Sequence, residues 1–390
     1  MILTRRNLLG KAALTTALAM SPRIVFAAAP GDARFVFIVL RGAMDGLSVV
    51  MPIGDSAYTG QRGSLADPPG GAATKLDGMF ALHPAMAETA ALYAKGEALF
   101  IHAVASPYRE RSHFDAQNVL ETGGTSAYAL KDGWLNRLVS AIPGAHEAPI
   151  AIAATVPMVL RGRAPVTSYA PSVLPQAGDD LLQRVAGMYQ QDALLHPLWS
   201  EAMDARMLAS DAAVAEPRGG KGGGSPAALG KLAAAFLAKP NGPRIAVIEV
   251  LGWDTHAQQA GRLNTQLKQL DATIAALRDG LGPEWRHTTV LAATEFGRTV
   301  AVNGTGGTDH GTGGVAILAG GAVQGGRVLA DWPGLKAGAL YEGRDLRPTT
   351  DLRAVLLGVT SAQFAVDPAR LAPALFPGAA VVPVNGLVRA

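Results

Sequence analysis

Short, unbroken apolar runs recur along the chain, at 34–40, 98–104, 244–251, 288–293 and 314–319. A strand exposed on one face alternates apolar and polar positions, so runs of this kind predict strands buried on both faces. Between them, apolar positions follow helical spacing, as over 84–95 and 261–280. Strands alternating with helices predict a three-layer α/β/α sandwich around a mostly parallel sheet. The middle of the chain differs. Residues 179–214 read as one long helix with Leu181, Leu182, Val185, Met188 and Tyr189 at helical spacing, and the Gly-rich stretch 216–226 follows as a loop. Together they predict an insertion around 179–226 within a single domain spanning 30–390. No internal repeat is evident.

Residues 1–29 change the reading of charge. Arg5-Arg6 precedes an apolar run over 12–20, and small residues follow at 27–29. That pattern predicts a twin-arginine signal peptide, the twin-arginine export machinery as a partner, and a periplasmic or secreted bacterial protein with no stable membrane span after processing. The formal charge of the chain is +3, but this segment holds Arg5, Arg6, Lys11 and Arg23 and no acid, so the remainder is near −1. Nucleic acid is thereby excluded as an expected partner. There is no cysteine, so disulfides and thiolate chemistry are unavailable. Any metal must be held by histidine or oxygen.

In open α/β sheets ligands bind beyond the carboxyl ends of the strands, and the polar residues of this chain gather there. The first run leads to Asp45, the second to Ser112, His113 and Asp115, the third to Asp254 and His256, the fourth to Glu295 and Arg298. Asp309-His310 stands between glycine pairs just before the fifth. Singly, each has an ordinary reading as a turn or a helix cap. Together, so many carboxylates and histidines at one sheet edge would repel and desolvate one another without a cation, and a divalent metal is the economical candidate. His113 is open to three roles: ligand, proton donor, or brace for Ser112. His102, inside an apolar run, reads as a core histidine, and His83, His146, His196 and His287 as structural.

The order of these motifs resembles the exported proteins of domain-of-unknown-function family 1501, in the alkaline phosphatase and sulfatase-like superfamily. The matching stretches are 40–46 (LRGAMDG), 106–117 (SPYRERSHFDAQ), 133–137 (GWLNR), 252–256 (GWDTH), 294–299 (TEFGRT), 307–311 (GTDHG) and 349–353 (TTDLR). The resemblance implies an alkaline-phosphatase-like fold, a metal ligand at Asp45 and a nucleophilic hydroxyl at Ser112. It also implies further ligand positions at Asp254, Glu295 and His310. Two departures stand out: His256 follows Asp254 where the pattern has a histidine at the place of Gln258, and Glu295-Phe296 replaces an Asp-His pair.

The expected function is therefore an exported metal-dependent hydrolase or transferase acting on a phosphate or sulfate ester, small or polymeric. Ser112, His113 and Arg111 form the expected catalytic group. Asp45, Asp254, His256, Glu295 and His310 are the expected metal set. Arg109, Arg298 and Asp309 are the expected substrate contacts. One divalent ion fits the departures better than two, with zinc, manganese, calcium and magnesium undistinguished. A formylglycine sulfatase is excluded by the missing cysteine unless serine is the modified residue, and no such motif surrounds Ser112. The competing expectation is a ligand-binding or cell-envelope assembly protein on the same fold, which Phe296 at a ligand's place favours.

Overall fold

The computed structural model describes residues 32–143, 148–170, 179–200, 202–203 and 225–389. The leader at 1–29, His146, and most of the Gly-rich stretch 216–226 lie outside the described residues. Among the described residues twelve strands are formed: β1 (Arg34–Arg41), β2 (Val50–Met51), β3 (Thr74–Lys75), β4 (Ala81–Leu82), β5 (Ala98–Ala105), β6 (Ile150–Ile152), β7 (Thr167–Ser168), β8 (Ile245–Leu251), β9 (Thr288–Thr294), β10 (Gly314–Ala319), β11 (Arg327–Leu329) and β12 (Thr350–Asp351). Nine build one sheet in the order β11-β5-β10-β9-β1-β8-β6-β7, with β12 also on β5. β2, β4 and β3 form a small antiparallel sheet.

The helices that matter for packing are α1 (Gly46–Val49), α2 (Tyr58–Arg62), α3 (Ala87–Ala94), α4 (His113–Thr122), α5 (Trp134–Ala141), α6 (Asp179–Tyr189), α7 (Pro226–Leu237), α8 (Gln259–Leu281), α9 (Leu352–Gln363) and α10 (Pro368–Leu375). β1 shows why the sheet needs helices on both sides. Val36, Ile38 and Leu40 enter one core with α3, α7 and α8, while Phe35, Phe37 and Val39 enter the other with α4, α5, α9 and α10. Trp134 of α5 packs edge-on against Phe35 and Phe37, at ring separations of 6.4 and 5.3 Å. Burying each such side chain is worth roughly 1.5–3 kcal/mol, and the three-layer α/β/α arrangement follows.

The sheet is parallel except for β10, which runs antiparallel to both β9 and β5. This exception positions the site. Leu40 faces Thr294, Arg41 faces Leu251 and Gly314 faces Val104. The carboxyl ends of β1, β5, β8 and β9 therefore share one edge with the start of β10.

The long helix expected over 179–214 is interrupted. α6 stops at Tyr189 and helix resumes over 195–200. Asp192 causes the break: its carboxylate accepts from the backbone N–H of Leu194 and Leu195, each at 2.8 Å, and so starts a new helix. Leu181 and Met188, expected on an apolar face, are exposed.

Candidate metal centre

Three imidazoles meet at the shared sheet edge, each delivered by a different connection. His113 opens α4, after the loop leaving β5, which turns at Arg111 with a φ of 63°. His256 lies in the loop between β8 and α8, and His310 in the loop entering β10. The glycines beside His310 let these loops touch. A Cβ at Gly307 would lie 2.2 Å from the His256 carbonyl, and one at Gly311 would lie 2.4 Å from the Arg298 carbonyl carbon. Neither position has room for a side chain.

The hydrogen bonds fix how each ring faces. His113 Nδ1 donates to Glu295 Oε1 at 2.8 Å, His256 Nδ1 to Asp309 Oδ1 at 3.1 Å, and His310 Nδ1 to the Arg111 carbonyl at 3.0 Å. Carboxylate and carbonyl oxygens only accept, so all three Nδ1 atoms carry hydrogen. All three Nε2 atoms then point their remaining valence inward. His310 Nε2 lies 2.9 Å from His113 Nε2 and 3.0 Å from His256 Nε2.

Asp254 closes the group. Its Oδ1 lies 2.9 Å from His256 Nε2 and 3.4 Å from His310 Nε2, and its Oδ2 lies 3.6 Å from His113 Nε2. Neutral imidazoles at such separations would set lone pair against lone pair, so the cluster must share protons or a cation. A tetrahedron with metal–nitrogen bonds of about 2.0 Å has donor separations of roughly 3.3 Å, and the observed values straddle that figure. The residues fit a divalent cation. His113, Asp254 and His310 form its inner group, and His256 completes it at the exposed rim.

The surroundings prepare this charge pattern. Glu295 raises the pKa of His113 by its hydrogen bond, against opposing burial. Burial, and then the charge of His113, lowers that of His310. Burial works to raise Asp254, but the hydrogen bond and charge of Arg298, followed by His256 and His113, hold it below the ordinary carboxylate value. Phe296 is buried and stacks on His113 at 5.0 Å, so it walls the site rather than occupying a ligand's place.

The remaining expected site residues make other contacts. Asp45 is fully buried away from the cluster, where it caps α1 and accepts from Leu47, Ser48, Arg62 and Gln259. Its Oδ2 takes Ser48, Arg62 and Gln259 and its Oδ1 takes the Leu47 N–H, so its charge is already met by a guanidinium. Glu295 also stands behind the cluster: Oε1 accepts from His113, Gly42 N–H and Gln117, and burial of the whole carboxylate keeps it from the open face. Arg109 donates to the carbonyls of Ser106 and Tyr108 and braces its own loop. Arg298 is buried and bridges Asp254, at 2.8 Å, to Thr308, so it positions a ligand instead of clamping substrate. Asp309 likewise holds His256.

Ser112 caps α4 without a side-chain capping bond, and its N–H donates to the Tyr108 phenol oxygen at 3.3 Å. Arg111 pairs with Asp345 and Glu342. His102 is a core residue, donating from Nε2 to the Val50 carbonyl and accepting from Ala103 N–H. Sequence reasoning missed Gln259 and Thr308. Gln259 links Asp45 to Thr308, which holds Arg298; Gln259 belongs to no acidic or histidine pattern, and Thr308 stands within 307–311 beside residues that drew the attention instead.

Residues 32–374 match the family described as "Protein of unknown function (DUF1501)". No curated protein matches the chain in sequence. Similar solved structures include the C-terminal periplasmic domain of EcEptC from Escherichia coli in complex with Zn, at 10% identity and a TM-score of 0.37, covering 75% of this chain and 74% of that one. BT1596, a 2-O GAG sulfatase, is 12% identical with a TM-score of 0.36, covering 86% and 71%. The phosphonate monoester hydrolase of Agrobacterium radiobacter is 10% identical with a TM-score of 0.31, covering 76% and 70%. These scores are low, and the architecture rests on the strand order given above.

Proposed function

The chain belongs to the DUF1501 family, whose description assigns no activity, and from the site itself we propose a divalent-metal-dependent hydrolase or transferase of phosphate or sulfate esters. One observation carries the reading: three imidazoles, each anchored through Nδ1, turn Nε2 toward one another and toward the Asp254 carboxylate. Anchoring of this kind fixes ring orientation and raises ligand basicity. The centre is also open. Asp254 and His256 are 44% and 45% exposed in their side chains, and an accessible face is what separates a catalytic site from a closed structural one.

Once bound, a divalent cation supplies Lewis acidity toward a phosphoryl or sulfuryl oxygen. The chain's own residues do the rest. Glu295 and Asp309 hold His113 and His256 in the tautomer that faces inward, Arg298 keeps Asp254 ionised, and Phe296 closes the apolar side against water. We assign the attack to water, and Ser112→Ala separates this from attack by the Ser112 hydroxyl. Water bonds to phosphorus or sulfur, the ester P–O or S–O bond breaks, and the alcohol departs with a proton.

The Arg5-Arg6 leader supports export by the twin-arginine route to the periplasm or beyond. Among the described residues, no helix is long and apolar enough to cross a membrane.

Elemental analysis of the purified protein beside His310→Ala tests the centre, followed by turnover of chromogenic phosphate and sulfate esters. About one equivalent of metal, lost in the variant, is expected, with chelator-sensitive turnover that survives in Ser112→Ala. Metal without turnover would favour a ligand-binding protein. A folded protein that binds no metal would overturn the reading.

A further inference from the structure

An ion cluster at the rim of the centre plays no part in holding the metal ligands' charge. Arg344 donates from Nη2 to the carbonyl of His310 at 2.5 Å, and its Nε lies 3.0 Å from Asp345. Arg111, whose carbonyl anchors the same histidine, pairs with the other oxygen of Asp345 through Nε at 2.9 Å and Nη2 at 2.8 Å. The Arg344 guanidinium thus bonds the His310 carbonyl directly, and Asp345 links it to the Arg111 guanidinium. The Arg344 side chain is 43% exposed, and neither Nη1 has a hydrogen-bond partner among the described residues.

The two carboxylates they meet are not equivalent. Asp345 is fully buried and touches both arginines, so it is a fixed part of the cluster. Glu342 is 53% exposed and reaches only Arg111 Nη2 among the basic groups by direct contact. It also sits where the backbone does not favour it. Arg344 N–H donates to the Tyr341 carbonyl, and Glu342 and Gly343 between them have φ of 50° and 69°. That is a type I′ turn, whose first central position suits asparagine, aspartate or glycine. Glutamate there gains nothing from the turn. What it gains is an arginine.

We propose that Arg111 and Arg344 form the oxyanion subsite of this centre, and that Glu342 occupies the Arg111 side of it until a phosphate or sulfate group displaces it. The identification of that group as part of an ester rests on the hydrolase reading; the subsite itself does not. Exposed ion pairs add little stability, so a tetrahedral oxyanion that makes bidentate bonds to guanidinium replaces the glutamate readily. Arg109 and Arg298 are engaged by backbone carbonyls and by Asp254, whereas Arg111 and Arg344 each keep an Nη1 without a hydrogen-bond partner among the described residues.

The test is calorimetric titration of inorganic phosphate, and separately of sulfate, into the wild type, Glu342→Gln and Arg344→Gln, with metal content measured for each. Glu342→Gln removes an exposed competitor and should bind the anion about ten-fold tighter, and Arg344→Gln about ten-fold weaker. The anion with the larger gain in Glu342→Gln names the ester class. Unchanged or weaker binding in Glu342→Gln overturns the proposal, whether or not Arg344→Gln retains its metal. Metal present with no change in anion affinity defeats this inference alone. Altered anion affinity in a protein without metal defeats the hydrolase reading alone.

Discussion

Glu295 is the residue whose neighbourhood says most about how the centre works. A carboxylate buried so deeply would ordinarily be driven toward its neutral form, yet hydrogen bonds from His113 and Gln117, with backbone and Thr294 support, outweigh burial and hold its pKa below the usual value. It stays charged, and that charge keeps the His113 ring turned with Nε2 inward. Glu295→Gln retains shape but gives up the charge. We expect it to fold normally and to weaken metal binding by about 10–100-fold, the usual effect of removing a group that orients a ligand. A competition titration against a chromophoric chelator measures this. Affinity equal to the wild type would show that the ring is held by packing against Phe296 alone.

At the level of elements, the decisive feature is the direction of β10. A parallel strand there would have sent residues 307–311 to the opposite edge of the sheet; the antiparallel strand starts at the edge where β1, β8 and β9 end. The loop before it must then slide between the loops bearing His256 and Arg298, and glycine alone permits that approach. Gly311→Ala should push the Arg298 backbone away, costing about 1–3 kcal/mol as an overpacked contact and releasing Asp254 from its position. Thermal melts and metal titration should both register the change. Gly304→Ala, with nothing within 4 Å of its Cβ, is the matched control and should leave both unaltered.

Among the described residues two buried histidines, His83 and His102, lie outside the centre, and they make the stability of the whole molecule pH-dependent. Burial lowers the pKa of His83 and of His102 to about 4. A group whose folded pKa is depressed in its cationic form gives stability that is full above the unfolded value near 6.5 and is lost as pH falls toward 4. Each contributes about 3 kcal/mol over that window. Urea unfolding at pH 7.5 and pH 4.5 should show the loss, and His102→Gln, which cannot titrate, should flatten it by about half. An unchanged slope would mean that carboxylates control acid unfolding instead.

The sequence by itself determined the five long strands, because continuous apolar runs such as 34–40 have no stable place except between two helical layers, whereas the short strands β2, β3, β4, β6, β7, β11 and β12 carried no such run. It also determined which residue types crowd one edge, since carboxylates and histidines followed the runs. Asp254, His256, His310 and His113 were all legible in that way. What each one does was decided only by tertiary structure. Asp45 and Asp254 look alike in sequence and each meets a buried arginine, Arg62 or Arg298, but of the two it is Asp254 that also stands beside the three imidazoles. Arg344 gave no signal either, because its place beside His310 depends on a turn many residues away. Local patterns fix burial and periodicity, which are properties of neighbours along the chain. Partnership between charges depends on which loops a folded sheet brings within bonding distance, and one antiparallel strand settled that here.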